Sequence, residues 1–501
     1  MTESTKTMNG TAPPKAPRVP LEVERLPIRF ESDERRVITR PFVPGGETRA
    51  RALVQRVRSL SEEGVETLLA QVLRNFEGRH KSIRSVLKEH CEAAEQHAGP
   101  LDGFSHARRL LLGAYFTMEY AIQSAALFNP AIVPHLDQSG LADGAVRFIM
   151  SLRATGEGHI SSVVFRTGVI NVDRAIRLAP VSRFSWRARL CPDRQYEKRL
   201  FYRKLLDVGL HGPPIDLVIN SLPDFFTFSQ LEHAIDNSRQ DHPEMFQLEE
   251  TANGMVWLAR SNYTLELPED ADASEIVIFP ESDNESMGIE DLRLVRFVDD
   301  DGEVTYYGTY TAYNGYRVLP QLMETKDFRR VAVHTLNGAR AQNKGMALFP
   351  RRIGGHYVMC SRVDGVNLYI MYSDFVHFWE TAELLQQPQY PWEFVQIGNC
   401  GSPLETPEGW LLLTHGVGPM RQYCIGAMLL DLEDPLKVIG SLPEPLIIPT
   451  GEEREGYVPN VVYSCGAMIH QGSVYIPYGM ADAATGMAFV SVGPLLDRLV
   501  A

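Results

Sequence analysis

From Thr48 to Ala98 the apolar residues Leu53, Val57, Leu60, Val65, Leu68, Val72 and Phe76 return every three or four positions, and Ile83, Val86 and Leu87 extend the series. That period places one apolar stripe on a helix. Ser61-Glu62-Glu63-Gly64 interrupts it, so two or three helices are predicted. Beyond a linker at Pro100–Ser105, Ala107–Phe128 is nearly all apolar up to Asn129-Pro130 and reads as a further helix. Ala142–Ala154 reads as one more. Residues 1–20 are rich in Thr, Pro, Lys and Ala and carry no period. The expected organisation of this part is a flexible tail over residues 1–45, then an α-helical unit over residues 46–155.

After Gly156 the runs become short, β-branched and aromatic, broken by Gly, Pro, Asp and Asn. Four segments resemble one another: Val298–Tyr313, Phe349–Arg362, Glu405–His415 and Met468–Asp482. Each has a tight turn (Asp301-Gly302, Gly354-Gly355, Glu408-Gly409, Gln471-Gly472) followed by an alternating strand that ends in a polar group. The post-turn positions Tyr306, Tyr357, Trp410 and Tyr475 stand 51, 53 and 65 residues apart. Repeats of four-stranded size at that spacing predict propeller blades. Asn253-Gly254-Met255-Val256-Trp257 and a strand pair in Gly158–Asn171 supply one or two more. The fold class expected is therefore mainly β: a five-bladed β-propeller over residues 156–501 with an N-terminal α-helical extension.

Blades converge on a central channel, so polar residues at equivalent strand ends can meet there although distant in sequence. The candidates are Arg166, Asp291, Arg293, Tyr310, Tyr313, Lys344, Arg362, His415, Tyr423, Tyr457 and Asp482. Cations, an acid and aromatic faces together suit a sugar and an anion. In Gly288-Ile289-Glu290-Asp291-Leu292-Arg293, adjacent strand side chains point to opposite faces, so Glu290 and Asp291 share a site only across a bulge. Asp291 and Arg293, two apart, share a face.

Composition narrows the function. The net charge is −14, from 49 Lys and Arg against 63 Asp and Glu, which excludes coating a polyanion or an anionic membrane. Six cysteines stand apart with no CxxC pair, and neither HExxH nor a nucleotide-binding glycine motif occurs. No metal or cofactor is implied. Nothing resembles a signal peptide or a spanning helix, so a cytoplasmic location is expected.

The string GIEDLR resembles the G-x-E-D-P-R signature of glycoside hydrolase family 130, the β-mannoside phosphorylases and β-1,2-mannosidases. Further strings of that kind follow in order: Tyr310-Thr311-Ala312-Tyr313, Asn343–Pro350, Tyr357–Arg362, Leu413–Val417, Tyr423–Pro435, Gly456–Asn460 and Tyr478–Asp482. The likeness spans about residues 158–495 and implies a five-bladed propeller. It implies that Asp291 is the proton donor, acting through the 3-hydroxyl of the mannosyl unit. Lys344, Arg362, His415 and Tyr423 would bind phosphate, Asp482 would bind sugar hydroxyls, and Tyr457 would sit near the same subsite. Arg293, Tyr310, Tyr313 and Arg166 join them as substrate-binding candidates. The reaction expected is inverting phosphorolysis of a β-mannoside to α-mannose 1-phosphate, with inorganic phosphate as co-substrate. A β-1,2-mannosidase, with Glu453 or Glu455 as the base, and a non-catalytic sugar-binding propeller are the alternatives. The apolar Ala107–Phe128 segment needs a packing partner, which points to a homo-oligomer.

Overall fold

Short β-branched and aromatic runs, many of them joined by glycine turns, pair with their neighbours in sequence, and the protein is mainly β. The computed structural model describes residues 21–191, 194–244, 250–316 and 318–500. Within the tail expectation, residues 1–20 lie outside the described residues.

Five antiparallel groups of strands, called sheets below, follow in chain order, the first and second joined by a parallel bridge between Ser161 and Gly288. The first holds Ala126–Pro134, Val146–Thr155, Ser161–Ile170 and Ile176–Leu178. The second holds Gly288–Val298, Val304–Tyr313, Val318–Thr325 and Arg330–Thr335, with Tyr263–Glu266 added outside. Ala347–Leu348, Tyr357–Ser361, Leu368–Ser373 and Glu383–Gln386 make the third. In the fourth, Gln396–Asn399 and Leu404–Thr406 both pair with Gly409–Val417, and Tyr423–Leu430 and Val438–Ser441 complete it. The fifth pairs Val462–Tyr463 and Met468–His470 with Ser473–Met480, then Ala484–Ser491. Its outer strand is Val23–Phe30, from the other end of the chain.

Hydrophobic cores separate consecutive sheets. Ile149, Phe165, Leu292 and Tyr306 fill the space between the first and second, and Phe297, Tyr307 and Met359 that between the second and third. Phe349, Ile370 and Trp410 lie between the third and fourth, and Leu413, Leu429 and Ile476 between the fourth and fifth. Phe148, Leu152, Tyr475 and Met487 join the fifth sheet back to the first. The four glycine turns read from the sequence each link two antiparallel strands, and Tyr306, Tyr357, Trp410 and Tyr475 are all buried.

Several sequence expectations change. The helix foreseen over Ala107–Phe128 stops early: His106–Tyr115 is helical, and Thr117–Ala121 is a strand paired with Val37–Pro41. The aromatic and β-branched residues Phe116, Thr117, Tyr120 and Ile122 favour that pairing. Ala142–Ala154 overlaps the strand Val146–Thr155, in which Phe148, Met150 and Leu152 alternate onto one buried face. The helices Glu47–Arg58, Glu62–Phe76, Ile83–Ala98 and His106–Tyr115 therefore end well before residue 155. Leu110, Leu111 and Leu112 are buried against them, so the face that pointed to a second copy is covered within the chain.

The tail expectation fails over residues 23–41, where Val23–Phe30 and Val37–Pro41 are strands. The Gly158–Asn171 pair is a single strand, Ser161–Ile170. Residues 156–501 are not all β either. Lys198–Asp207, Pro213–Ser221, Phe228–Asp241 and Glu250–Arg260 are helices around a core of Phe201, Leu205, Phe226, Leu231 and Leu258. Asn253-Gly254 lies inside the last of them rather than in a turn. At Gly254 the helix packs closely on Leu210, whose Cδ1 lies 2.5 Å from where a Cβ would stand. No helix among the described residues is long and apolar enough to cross a membrane. The six cysteines are free, five of them buried.

Candidate active site

One end of the five sheets encloses a cavity of about 290 Å³ to which every sheet contributes. Asn129 and Arg153 come from the first sheet, Glu290, Asp291 and Arg293 from the second, and Lys344 and Arg362 from the third. Gln396, His415, Arg421 and Tyr423 belong to the fourth sheet and its hairpin; Val458, Val461, Tyr463 and Asp482 belong to the fifth and its approach.

The geometry begins with a bulge. Glu290 pairs with Thr311 and Arg293 with Thr309, so Asp291 and Leu292 together face Tyr310 alone. Asp291 takes a left-handed conformation, φ 57°, which an Asp tolerates better than most residues. The bulge satisfies the condition read from the sequence: Glu290 and Asp291 face one site. Asn129 (φ 47°) and Asp482 (φ 52°) have the same unusual backbone in the first and fifth sheets. Such conformations concentrate at functional sites because surrounding structure must hold them.

A chain of hydrogen bonds crosses the cavity wall. Asn129 Nδ2 donates to Asp291 Oδ1 at 2.7 Å, and Arg153 Nη1 donates to the same oxygen at 3.2 Å. Arg153 Nη2 donates to Glu290 Oε1 at 2.9 Å, and Lys344 Nζ to Glu290 Oε2 at 2.7 Å. Arg293 Nη2 donates to Tyr463 Oη at 2.6 Å. Burial alone would raise the Asp291 carboxyl, but Arg153, Arg293, Lys344 and the Asn129 amide outweigh it and hold the group below its usual range.

His415 meets a protein partner at each ring nitrogen. Its Nε2 lies 3.1 Å from Arg362 Nη1, and its Nδ1 lies 3.2 Å from Asn399 O. A guanidinium only donates, so Nε2 accepts and the proton sits on Nδ1, donated to the carbonyl. Burial first, then Arg362 and Arg293, keep the ring neutral, well below the ordinary histidine range. His415 thus orients Arg362. Gly398 makes room for it, since a Cβ there would lie 2.4 Å from the imidazole Cε1. Tyr423 stacks on His415 and accepts from Gln396 Nε2 at 3.4 Å. The Nε atoms of Arg293 and Arg362 and Oδ1 of Asn129 are buried without a protein partner, so a polar ligand would find groups to satisfy.

Asp482 is the counterpart of Asp291. Burial, then the Asp291 charge, push its carboxyl up to about 6, while Arg153 and Arg421 pull it down. Because the folded form binds this proton more tightly than the unfolded chain does, ionisation costs stability. The cost is absent below about pH 4 and complete above about pH 6. Discounted for the partial exposure of the side chain, it is worth roughly 1–3 kcal/mol. Asp482→Asn should therefore raise the denaturant midpoint at pH 7.5 and leave it unchanged at pH 4. Equal stabilisation at both pH values would show that the charge is not responsible.

Of the sequence candidates, Asp291, Arg293, Lys344, Arg362, His415, Tyr423 and Asp482 meet in this cavity, and four do not. Tyr310 is buried and donates to Glu285 Oε1 at 2.5 Å, beside Tyr263. Tyr313 donates to Gly315 O. Arg166 lies on the third strand from the inner edge and donates to Phe165 O and Gln123 Oε1. Tyr457 stands outside, 71% exposed. Asn129, Arg153, Glu290, Gln396, Arg421 and Tyr463 were not among the candidates. Asn129-Pro130 read as a helix stop and Arg153 fell in a supposed helix, whereas the Val146–Ala154 alternation was the signal for a strand.

One group elsewhere has metal-ligand composition: atoms of Glu324, His334 and His377 lie within 4.8 Å of one another. Arg194 Nη2 lies 3.2 Å from His334 Nδ1. By the same donor rule, the His334 proton is on Nε2, 3.8 Å from Glu324, leaving no lone pair for a cation there.

The model of a family described as β-1,4-mannooligosaccharide phosphorylase matches residues 246–500, which include the bulge at Asp291 and most of the cavity wall. A 1,2-β-oligomannan phosphorylase from Thermoanaerobacter sp. (strain X514) is 37% identical over 224 residues, 43% of this chain and 72% of that protein. A β-1,2-mannobiose phosphorylase of the same organism is 34% identical over 221 residues, 43% of this chain and 70% of that one. A β-1,4-mannooligosaccharide phosphorylase from Ruminococcus albus is 32% identical over 215 residues, 40% and 63% of the two chains. With the matched residues spanning half the chain and including Asp291, Lys344, Arg362 and Asp482, the chain belongs to glycoside hydrolase family 130.

Proposed function

We propose that the protein is an inverting phosphorylase that cleaves a β-mannoside with inorganic phosphate, giving α-mannose 1-phosphate, on a closed five-bladed propeller. Five sheets with five intervening cores, the last returning to the first, support the architecture. The names of the relatives support the substrate class.

The cavity charge carries the phosphorolytic reading. Arg153, Arg293, Lys344, Arg362 and Arg421 give +5, and Glu290, Asp291 and Asp482 give −3 when ionised, a surplus of +2. Phosphate near neutral pH brings nearly two negative charges, so it suits this surplus. Lys344, Arg362 and Tyr423 would hold it, with His415 orienting Arg362. A phosphate oxygen attacks the anomeric carbon, the bond to the leaving oxygen breaks, and the configuration inverts. The leaving oxygen takes the proton of the mannosyl 3-hydroxyl, which Asp291 replaces. Asp291 is ionised in the empty site. Bound phosphate neutralises the cations that hold it so and adds its own negative charge, which raises the Asp291 pKa and loads the proton.

Hydrolysis needs a carboxylate to activate water. Glu453 is committed elsewhere, accepting from Arg25, Tyr478 and Thr450, and Glu455 is exposed outside the cavity lining. Asp482, raised to about 6, would suit a base and is the feature that favours the mannosidase reading. Product analysis decides between them. β-Mannobioses should release mannose 1-phosphate in phosphate buffer and nothing in phosphate-free buffer. Free mannose at equal rates in both would overturn phosphorolysis, and no turnover in either would favour a non-catalytic binder. An enzyme consuming phosphate, with unpaired thiols, fits the reducing cytoplasm, where we place it.

A further inference from the structure

The cavity is polar and charged, yet exposed apolar side chains stand one or two residues along the chain from its lining residues. Tyr457 stacks on His159, itself exposed, with ring centroids 5.5 Å apart and planes at 24°. The rings come from two sheets: His159 from the turn before Ser161–Ile170, Tyr457 from the approach to Val462–Tyr463. Their near neighbours in sequence reach the cavity. Val458 lines it, and Ser161 Oγ accepts from Arg153 Nε at 2.9 Å. The His159 turn is held in place, because Tyr120 Oη donates to Glu157 O at 2.7 Å. Met420, 90% exposed, precedes Arg421, and Phe394, 63% exposed, stands two residues before Gln396. Single exposed apolar residues need no explanation, whereas several so close along the chain to the lining of one polar cavity do.

Sugar rings offer apolar C–H faces as well as hydroxyl edges. A flat ring already stacked on a neighbour receives such a face with little further loss of side-chain freedom. We infer that the Tyr457–His159 pair is the binding platform for the leaving sugar chain, outside the cavity that holds the transferred mannosyl unit and phosphate. This rests on the phosphorylase reading above. It moves Tyr457 from the transferred unit to the chain it is cut from, and adds His159.

Synthesis from α-mannose 1-phosphate separates the two sides of the site. Mannose and its β-1,2- and β-1,4-linked dimers and trimers serve as acceptors for wild type, Tyr457→Ala, Tyr457→Trp and His159→Ala. Tyr457→Ala should raise the acceptor KM about tenfold, the upper range for one aromatic contact. The KM for mannose 1-phosphate should stay within about twofold, and Tyr457→Trp should keep the wild-type acceptor KM. His159→Ala should fall between them. An unchanged acceptor KM in Tyr457→Ala, or equal rises for both substrates, would make the pair a clasp between two turns and overturn the inference. If wild type shows no phosphate-dependent cleavage and no synthesis, the phosphorylase reading falls and this inference with it.

Discussion

Asp291→Asn should abolish most turnover, lowering the rate of mannose 1-phosphate release by about 10³-fold, within the 10²–10⁴ typical of a lost general acid. The substitution keeps the shape of the side chain. An amide oxygen can still accept from Asn129 Nδ2 and Arg153 Nη1, which reach Asp291 Oδ1 at 2.7 and 3.2 Å. Arg153 also keeps its bond to Glu290, so no buried cation is left without a partner. What the variant lacks is a proton to give and a negative charge beside the phosphate cations. The second loss has its own signature. Removing a negative charge from the cavity should leave phosphate binding intact or tighten it, while kcat collapses. Initial rates together with calorimetric titration by phosphate read both. A variant that keeps a rate within tenfold of wild type would remove Asp291 from the proton path, and Asp482 would become the acid to test.

The sequence shows the sheets wherever a glycine turn precedes an alternating strand, as at Tyr306, Tyr357, Trp410 and Tyr475. The first sheet carries the same signal at Asp143-Gly144 and Phe148, but the apolar run before it has no period of its own. In such a run a helix and a strand buried on both faces look alike. That ambiguity hid Asn129 and Arg153, which hold Asp291 in place. The Lys198–Arg260 helices then separate Phe148 from Tyr306, so the repeat spacing breaks where the first sheet meets the second. Glu290 was hidden for a local reason. Alternation places it on the face away from Asp291, and only the backbone reveals the bulge that turns both inward. The role of His415 depends on which nitrogen carries the proton, and that is fixed by Arg362 and Asn399 O, partners that its neighbours in sequence do not reveal.

Arg362→Ala and Lys344→Ala should both weaken phosphate use, and the two should differ in size. A hydrogen bond to a charged group contributes about 1.5–3 kcal/mol, so losing one cation should raise the phosphate KM roughly 10- to 150-fold. Arg362 should lie at the upper end. Its guanidinium is fixed by His415, and its Nε is already buried without a protein partner. Lys344 should lie lower, because its side chain is 37% exposed and its charge is shared with Glu290 at 2.7 Å. Two further variants separate charge from placement. Arg362→Lys keeps the charge but loses the planar donor fork, and should recover only part of the phosphate KM. His415→Ala leaves the cation and frees its orientation, so it should raise the phosphate KM without touching the mannoside KM. Were His415 itself a phosphate ligand carrying a titrating proton, the phosphate KM of wild type would climb as the imidazole lost its charge near neutral pH. A ring held neutral by burial and by two arginines gives no such rise, so a profile between pH 6 and 8 that shows only the ionisation of phosphate and of Asp482, about 6, distinguishes the orienting role from the binding one.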